Sequence, residues 1–301
     1  NEAYAANADT PLSIKPTTDS EGETVHPSVL YFPYGWNGWK YWLGINPYPN
    51  TDSDYENPCI MVSNDGEMWQ VPAGLTNPIF PKPTSGFYSD IFLVMSPDNS
   101  TMYMGFRQFD TNINIWVAES TDGVNWSDKH KILSFVVTEE DAASPAIIWD
   151  GSQYVMWAVD LVASPKVIKK RTSQSIYGPW SDPSTCTIAA PEGKEFWHLD
   201  VLYTGSQYIM LLQTGTPGEF GAAGLLYLAS SNDGDTWTVS DNPVLYSRNN
   251  YFDAALYRSS GILTLENGSP VIDLWYGCHG TEWKTARTKV KFDKTRMIAN
   301  R

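Results

Sequence analysis

The chain is poor in cysteine, histidine and basic residues. Its 301 residues include three cysteines and four histidines, and 20 lysine and arginine residues face 34 acidic ones, for a net charge of −14. Cys59, Cys186 and Cys278 are too widely spaced for a dense disulfide framework or a metal-ligand motif. A negative chain without a basic cluster is not suited to contact phosphates, which excludes nucleic acid and anionic membranes as partners.

Long apolar runs and extended amphipathic helix patterns are also missing from the sequence. No apolar run is long enough to span a membrane. Proline and glycine recur between strand-like segments rather than in a linker, so we expect one all-β domain over residues 1–301. Because the chain begins at Asn1 rather than Met, we expect that a leader or a larger parent chain has been removed. We expect a secreted or extracellular protein, with phage association left open.

The sequence does contain a repeated phrase that ends on tryptophan. The phrase returns about every 55 residues, which is the length of one four-stranded antiparallel blade with its connections. Its copies end at Trp69, Trp126, Trp180 and Trp237. Five tight-turn signals typical of β-hairpins accompany it, at Asn37-Gly38, Asp98-Asn99, Asp150-Gly151, Thr204-Gly205 and Asn267-Gly268. The pattern predicts a five-bladed β-propeller of four-stranded antiparallel blades, with residues 1–25 as an N-terminal strap or a closing strand.

Polar residues are predicted to form a ring where the five inner strands begin. Aligned by their turns, these strands place one set of residues in a common register: Ser28, Asp90, Ala146, Asp200 and Ser260. A second set stands two residues earlier: His26, Tyr88, Ser144, His198 and Arg258. Because side chains alternate along a strand, both sets are expected to point toward the central axis. Aromatic residues make up 14% of the chain, and rings mixed with carboxylates around a concave pocket indicate a sugar site.

With these residues the chain resembles the five-bladed β-propeller glycoside hydrolases, a superfamily that includes families 43, 32 and 117 and related phage and bacterial proteins. The resemblance spans roughly residues 26–290. The segments that carry it are His26-Pro27-Ser28-Val29, Ser89-Asp90, Ala143-Ser144-Pro145-Ala146, Ser173 to Trp180, and Trp197-His198-Leu199-Asp200. It implies an enzyme that cleaves a poly- or oligosaccharide with paired carboxylates in the central pocket.

The resemblance also implies roles for individual residues. The implied catalytic set is Asp90 and Asp200 as primary carboxylates, Glu140 or its neighbour Glu139 as the acid, and His198 as a proton carrier or pKa tuner. The implied substrate-binding set is His26, Arg107 and Arg258 for hydroxyls or a substrate carboxylate, and Tyr55, Tyr88 and Trp197 for stacking. Two positions that are commonly acidic in these enzymes are Ser28 and Ala146 here.

Those two positions favour a second interpretation, a non-catalytic glycan-binding propeller that serves as a receptor-binding or accessory module. A sialidase is suggested by the likeness of the tryptophan phrases to Asp boxes, but five turns rather than six count against it. A protein-interaction propeller has less need of inward His and Asp pairs. A cation near His279 in the channel has no ligand cluster with readable spacing, so we expect no metal and no cofactor. We expect a monomer that binds carbohydrate.

Overall fold

The computed structural model describes residues 3–219 and 223–292 of the chain. Within these residues the strands form five antiparallel sheets, one for each predicted turn. The innermost strand of each sheet contacts the innermost strands of its two neighbours, so that the sheets close into a ring. The predicted five-bladed β-propeller is therefore confirmed. No helix in this described part of the chain is long and apolar enough to cross a membrane.

The strands follow one another from the inside of each blade outward. The N-terminus and blade one contain β1 (Ala3–Tyr4), β2 (Thr24–Trp36), β3 (Trp39–Pro47) and β4 (Cys59–Ser63). Blade two contains β5 (Phe87–Met95), β6 (Met102–Phe109), β7 (Asn112–Ser120) and β8 (His130–Val136). Blade three contains β9 (Ala143–Trp149), β10 (Tyr154–Asp160), β11 (Val167–Ser173) and β12 (Ser184–Thr185). Blade four contains β13 (Glu195–Tyr203), β14 (Tyr208–Gly215), β15 (Leu225–Ser231) and β16 (Thr238–Val239). Blade five contains β17 (Ala255–Glu266), β18 (Ser269–His279) and β19 (Trp283–Phe292).

The N-terminal strand completes the last blade. β1 pairs antiparallel with β19, and Ala3 lies opposite Phe292. The sequence left open whether the first residues form a strap or a closing strand, and Ala3–Tyr4 form a closing strand. Blade one, in contrast, has three strands and a single bridge between Val62 and Gln70 in the place of a fourth.

The hydrophobic core of the described residues is divided among the interfaces between blades. Trp42 packs with Tyr88 between blades one and two, and Trp157 packs with Phe196 between blades three and four. Burying one such large apolar side chain contributes about 2–3 kcal/mol. Packing between blades therefore holds the ring together and fixes the relative positions of the inner strands.

The repeated tryptophan phrase forms a turn that locks each blade to its neighbour. In the second copy, Gly123 has a φ of 77°, and a Cβ atom there would lie 2.1 Å from the ring of Trp42 in the preceding blade. In the fourth copy, the indole N–H of Trp157 donates to the carbonyl oxygen of Gly234 at 2.8 Å. These turns follow the third strand of a blade, so they lie on the face opposite to the starts of the inner strands. This face is called the turn face below.

Each inner strand carries a β-bulge close to its start. The pairing register shifts between Val25 and Ser28, Ser89 and Phe92, Ala143 and Ala146, Phe196 and His198, and Leu256 and Ser259. The expected strict alternation of side chains is therefore wrong near the start of each inner strand, because a bulge sets two residues opposite one residue on the partner strand. By this register Asp90 is equivalent to His26 rather than to Ser28.

Candidate functional site

A cavity of about 620 Å³ opens at the central axis, on the face where the inner strands begin. Every blade contributes at least one inner-strand residue to its lining, among them His26, Asp90, Ala143, His198 and Tyr257. The loops between second and third strands add the upper walls. The convergence of all five blades on one cavity makes it the candidate functional site, and this face is called the pocket face below.

The bulges aim two of these side chains into the cavity. His26 has a φ of 57° and Asp90 a φ of 53°, a left-handed conformation that is uncommon for residues with a side chain. Such strained backbone persists only where the surrounding structure enforces it, and it is frequent at functional sites. Asn46 on β3 helps to enforce it here, since its Oδ1 accepts a hydrogen bond from the amide of Ile91 at 3.1 Å.

His26, Asp90 and His198 form a buried cluster in the deep part of the cavity. Asp90 Oδ1 lies 3.5 Å from His26 Nε2 and 3.4 Å from His198 Nδ1. The three candidate ligand atoms all lie within 4.8 Å of one another. None of these three atoms has a hydrogen-bond partner, although all are buried. Buried polar atoms are nearly always satisfied, so their convergence without partners indicates that a ligand belongs between them.

The environment keeps this cluster in the protonation state that a metal ion requires. Burial lowers the pKa of His26 to about 3 and also lowers the pKa of His198. Burial alone would raise the pKa of Asp90, but the two imidazoles and Arg107 outweigh it and hold that pKa well below the ordinary value. At neutral pH the cluster therefore presents two neutral imidazoles and one carboxylate.

Asn46 supports the orientation of His26 that leaves Nε2 free. Its side-chain amide donates to the carbonyl oxygen of Glu56 at 3.1 Å, which fixes Oδ1 as the acceptor 3.0 Å from His26 Nδ1. The backbone amide of Asp90 also lies 3.1 Å from this nitrogen, so the two neighbours favour different tautomers. A cation at Nε2 selects the tautomer with the proton on Nδ1, and outer partners of this kind are usual for metal-binding histidines.

Two imidazole nitrogens and one carboxylate suit a divalent transition-metal ion with open positions for substrate. The donors come from blades one, two and four, so no ligand motif exists along the chain. The expectation of no metal was based on such spacing. Spacing along the chain cannot reveal a set of ligands that comes from strands far apart in the sequence.

Glu56 is a second carboxyl group in the same cavity. It lies in the loop after β3. Burial, and after it the charge of Asp90, raise the pKa of Glu56 well above the ordinary value, against the opposing influence of Arg107. Two carboxyl groups with pKa values displaced in opposite directions are typical of acid and base pairs in enzymes.

Arg107 is held rigidly in the wall between blades two and three. Its Nε donates to Asp141 Oδ1 at 2.8 Å and its Nη2 donates to Asp141 Oδ2 at 2.6 Å. Nη1 donates to Ser89 Oγ at 3.3 Å. This bidentate pairing fixes the plane of the guanidinium group, whose Nη1 edge is turned toward Ser89 and the lining of the cavity.

Five of the residues predicted from the sequence line this cavity: His26, Asp90, Arg107, Trp197 and His198. Trp197 is buried, and the ammonium group of Lys166 lies 4.0 Å from the centre of its ring. The side chain therefore forms part of a wall, and the ring face under Lys166 is covered.

The other five predicted residues lie elsewhere. Asp200 lines a separate cavity that opens toward the turn face, where burial raises its pKa to about 6. Arg258 is buried between the two cavities and donates to the carbonyl oxygens of Ile91 at 2.8 Å and Pro145 at 3.2 Å. Glu140 pairs with Arg171 at 2.6 Å.

The two remaining aromatic predictions are also outside the cavity. Tyr88 is buried in the interface between blades and its ring lies 4.8 Å from that of Phe106. Tyr55 is 38% exposed on its loop and does not line the cavity. Ser28 lines the cavity on the turn side together with Asp200, so its lack of a carboxylate has no bearing on the chemistry of the pocket face.

Sequence reasoning gave no role to Glu56, Asp141 or Tyr257, which all line the cavity. Glu56 and Asp141 stand in loops that the sequence marks as acidic, but nothing in a loop sequence reveals which acid turns inward. Tyr257 packs its ring 4.2 Å from that of His198. Its neighbour Arg258 was predicted in its place, because the bulge at that point shifts the inward position by one residue.

No protein-family model matches the chain. An N-acetyl-α-D-galactosamine deacetylase acting on A type blood, from Flavonifractor plautii, is 25% identical over 89% of this chain, and the match spans 42% of the length of that relative. The crystal structure of an N-acetylgalactosamine deacetylase from F. plautii, in complex with blood group B trisaccharide, superimposes with a TM-score of 0.86 over 95% of both chains, at 21% identity. A thermostable family-43 glycoside hydrolase superimposes with a TM-score of 0.70 over 96% of this chain and 94% of its own, at 13% identity. The chain thus has the fold that the glycoside hydrolase propellers share with this deacetylase.

Proposed function

We propose that this protein is a metal-dependent deacetylase that hydrolyses the acetamido group of an N-acetylated hexosamine in a glycan. The observation that carries the proposal is the cluster of His26, Asp90 and His198, whose three buried, unpartnered ligand atoms converge in an open cavity. The deacetylase with the same fold supports the choice of an acetamido group as the scissile bond.

In this proposal, each residue of the site has its own role in amide hydrolysis. His26, Asp90 and His198 would hold a divalent cation, which would supply Lewis acidity to the acetamido carbonyl group. Glu56 takes a proton from the attacking water and returns it to the leaving nitrogen, so that acetate and a free amine are released. The raised pKa of Glu56 favours holding the proton between the two transfers. Arg107, fixed by Asp141, contributes a positive charge beside the oxygen on which negative charge develops.

A second candidate function is hydrolysis of a glycosidic bond, as the sequence suggests. It is favoured by the pairing of an ionised Asp90 with a Glu56 whose pKa is raised, both in one cavity. In this alternative Glu56 is the acid that protonates the leaving oxygen, which is the role expected for Glu140 from the sequence. This alternative gives no function to the two imidazoles that face Asp90, so we rank it second.

The test compares the two products on the same substrate. The protein is stripped with a chelator, reloaded separately with Zn²⁺, Mn²⁺ or Ca²⁺, and incubated with blood group A trisaccharide, which carries a terminal N-acetylgalactosamine. We expect release of acetate and appearance of a free amine only in a reloaded sample. New reducing ends without acetate would support the glycosidase, and equal acetate release in the stripped protein would exclude the role of the metal.

A further inference from the structure

The positive side chains that line the cavity add no net positive charge to it. Among the described residues, the cavity is lined by two permanently positive side chains, Arg107 and Lys166. Each one is paired with its own acidic residue on a neighbouring segment. This pairing of positive and acidic side chains affects which glycans can bind in the cavity.

The first pair lies between blades two and three. Arg107 and Asp141 are both buried, with bidentate contacts of 2.8 and 2.6 Å. Asp141 therefore neutralises Arg107, and a substrate carboxylate could take the Nε and Nη2 edge of the guanidinium group only by displacing Asp141. Displacement would leave the buried charge of Asp141 with the amide of Ala142, at 2.7 Å from Oδ1, in place of its counter-charge, which is strongly unfavourable.

The second pair lies at the rim between blades three and four. Lys166 Nζ is 2.6 Å from Glu195 Oε1, and the same oxygen accepts the amide of Gly218 at 3.3 Å. Lys166 also lies over the ring of Trp197. Glu195 thus neutralises Lys166, while Trp197 and the amide of Gly218 keep both side chains at the cavity wall.

The remaining charges do not favour an anionic glycan either. Beyond the cavity, the chain as a whole carries a net charge of −14. A polyanion approaching such a protein is repelled over distances of about a Debye length, or about 8 Å in physiological salt.

We propose that the cavity selects glycans whose sugars next to the reacting N-acetylhexosamine are uncharged, and that the pairing of Lys166 with Glu195 is the specificity determinant at its rim. This inference rests on the proposed deacetylase function and names its substrate class. Glycans with a uronic acid, a sialic acid or a sulfate beside the reacting sugar are poorer substrates.

The test uses one sugar in two charge states. Blood group A trisaccharide is compared with its derivative in which C6 of galactose is oxidised to a carboxylate. Binding is measured by NMR titration, and kcat/KM is measured by acetate release. We expect kcat/KM for the oxidised compound to be about tenfold lower, and the difference to shrink as the salt concentration rises.

A change of charge at the rim should reverse this preference. In Glu195→Gln, Lys166 keeps its place over Trp197 but loses its counter-charge. The ratio of kcat/KM for the oxidised compound to that for the neutral one should rise at least fivefold. Lys166→Met should move the ratio in the opposite direction, because Glu195 is then unpaired. Glu266→Gln is the matched control, since it removes one carboxylate from the distant pairs with Lys289 and Lys291 and should leave the ratio unchanged.

The outcomes separate this inference from the function on which it rests. Equal kcat/KM for the two compounds, or a ratio unmoved by Glu195→Gln, overturns the selection of neutral glycans and leaves the deacetylase standing. Binding of both compounds without acetate release overturns the deacetylase. If neither compound binds, both proposals fail for this sugar.

Discussion

The two faces of the propeller use the same residue types in opposite ways. On the turn face, Asp122 accepts hydrogen bonds from the amides of Val124 and Asn125 at 2.8 and 2.7 Å, and Ser120 donates to it at 3.0 Å. On the pocket face, Asp90 is more deeply buried and its Oδ1 has no hydrogen-bond partner. The carboxylate of Asp122 is therefore satisfied by hydrogen bonds within its own turn, whereas Asp90 Oδ1 is available to bind a ligand.

This difference indicates that the turn face contributes to stability and the pocket face to chemistry. A buried polar atom without a partner destabilises the folded state, so its persistence indicates a function that needs it. The turn face, whose contacts recur from blade to blade, holds the ring together. We expect substitutions on the pocket face to change activity and those on the turn face to change stability, and the four predictions that follow test this division.

Asp90→Asn should have the largest effect. The loss of the ligand charge should lower kcat/KM for acetate release by about 1,000-fold or more and weaken metal binding, measured by calorimetry. Far-UV circular dichroism should show that the variant is still folded, so that the lost activity reports the ligand and not the fold. A variant that keeps a tenth of the wild-type activity would contradict the assignment of Asp90 as a ligand.

Gly123→Ala should destabilise the protein by about 3 kcal/mol, because the new Cβ atom would meet the ring of Trp42 and the backbone has a positive φ. Denaturant unfolding measures the change, and kcat/KM at a temperature where the variant is folded should be that of the wild type. Gly151→Ala is the matched control. Gly151 also has a positive φ but nothing lies within 4 Å of its added Cβ atom, so it should lose only about 1 kcal/mol.

Glu56→Gln should lower kcat by about 100-fold while the metal remains bound, since the variant loses the proton carrier and keeps the ligands. The pKa of Glu56 is raised, and its ionised form is the base. Wild-type kcat should therefore fall as the pH decreases through that raised pKa, and the variant should lack this limb of the pH profile. Loss of metal along with activity would show that Glu56 acts as a ligand instead.

Asp122→Asn should have the smallest effect, a loss of about 1 kcal/mol at pH 7 with unchanged activity. Hydrogen bonds from Asn125 lower the pKa of Asp122 to about 2, below the ordinary value of 3.8. The stabilisation is therefore present above pH 3.8 and disappears as the pH falls toward 2. Denaturant midpoints of the wild type and the variant should differ at pH 7 and converge near pH 2. A constant difference down to pH 2 would mean that the charge of Asp122 does not contribute.

The fold could be predicted from local signals. Each hairpin turn and each tryptophan phrase is encoded within a few neighbouring residues, and their regular spacing fixed the number of blades. His26, Asp90 and His198, which line the cavity, could be named as candidates because each stands near the start of an inner strand. Asp200 and Arg258 were misplaced relative to the cavity because a bulge adds a residue to each inner strand, and no turn or propensity signal in the sequence marks that bulge.

The sequence by itself determined the five blades, the two faces and the strands from which the site is built. These follow from short-range patterns of turns and from the period of the repeat. Only the tertiary structure decided that His26, Asp90 and His198 converge in one cavity while Asp200 lines another. It also decided that Glu56 turns inward while Glu140 pairs with Arg171. The physical reason is that these placements depend on the packing of blades against one another, which brings together residues as far apart in the chain as His26 and His198 and leaves some of their polar atoms without partners.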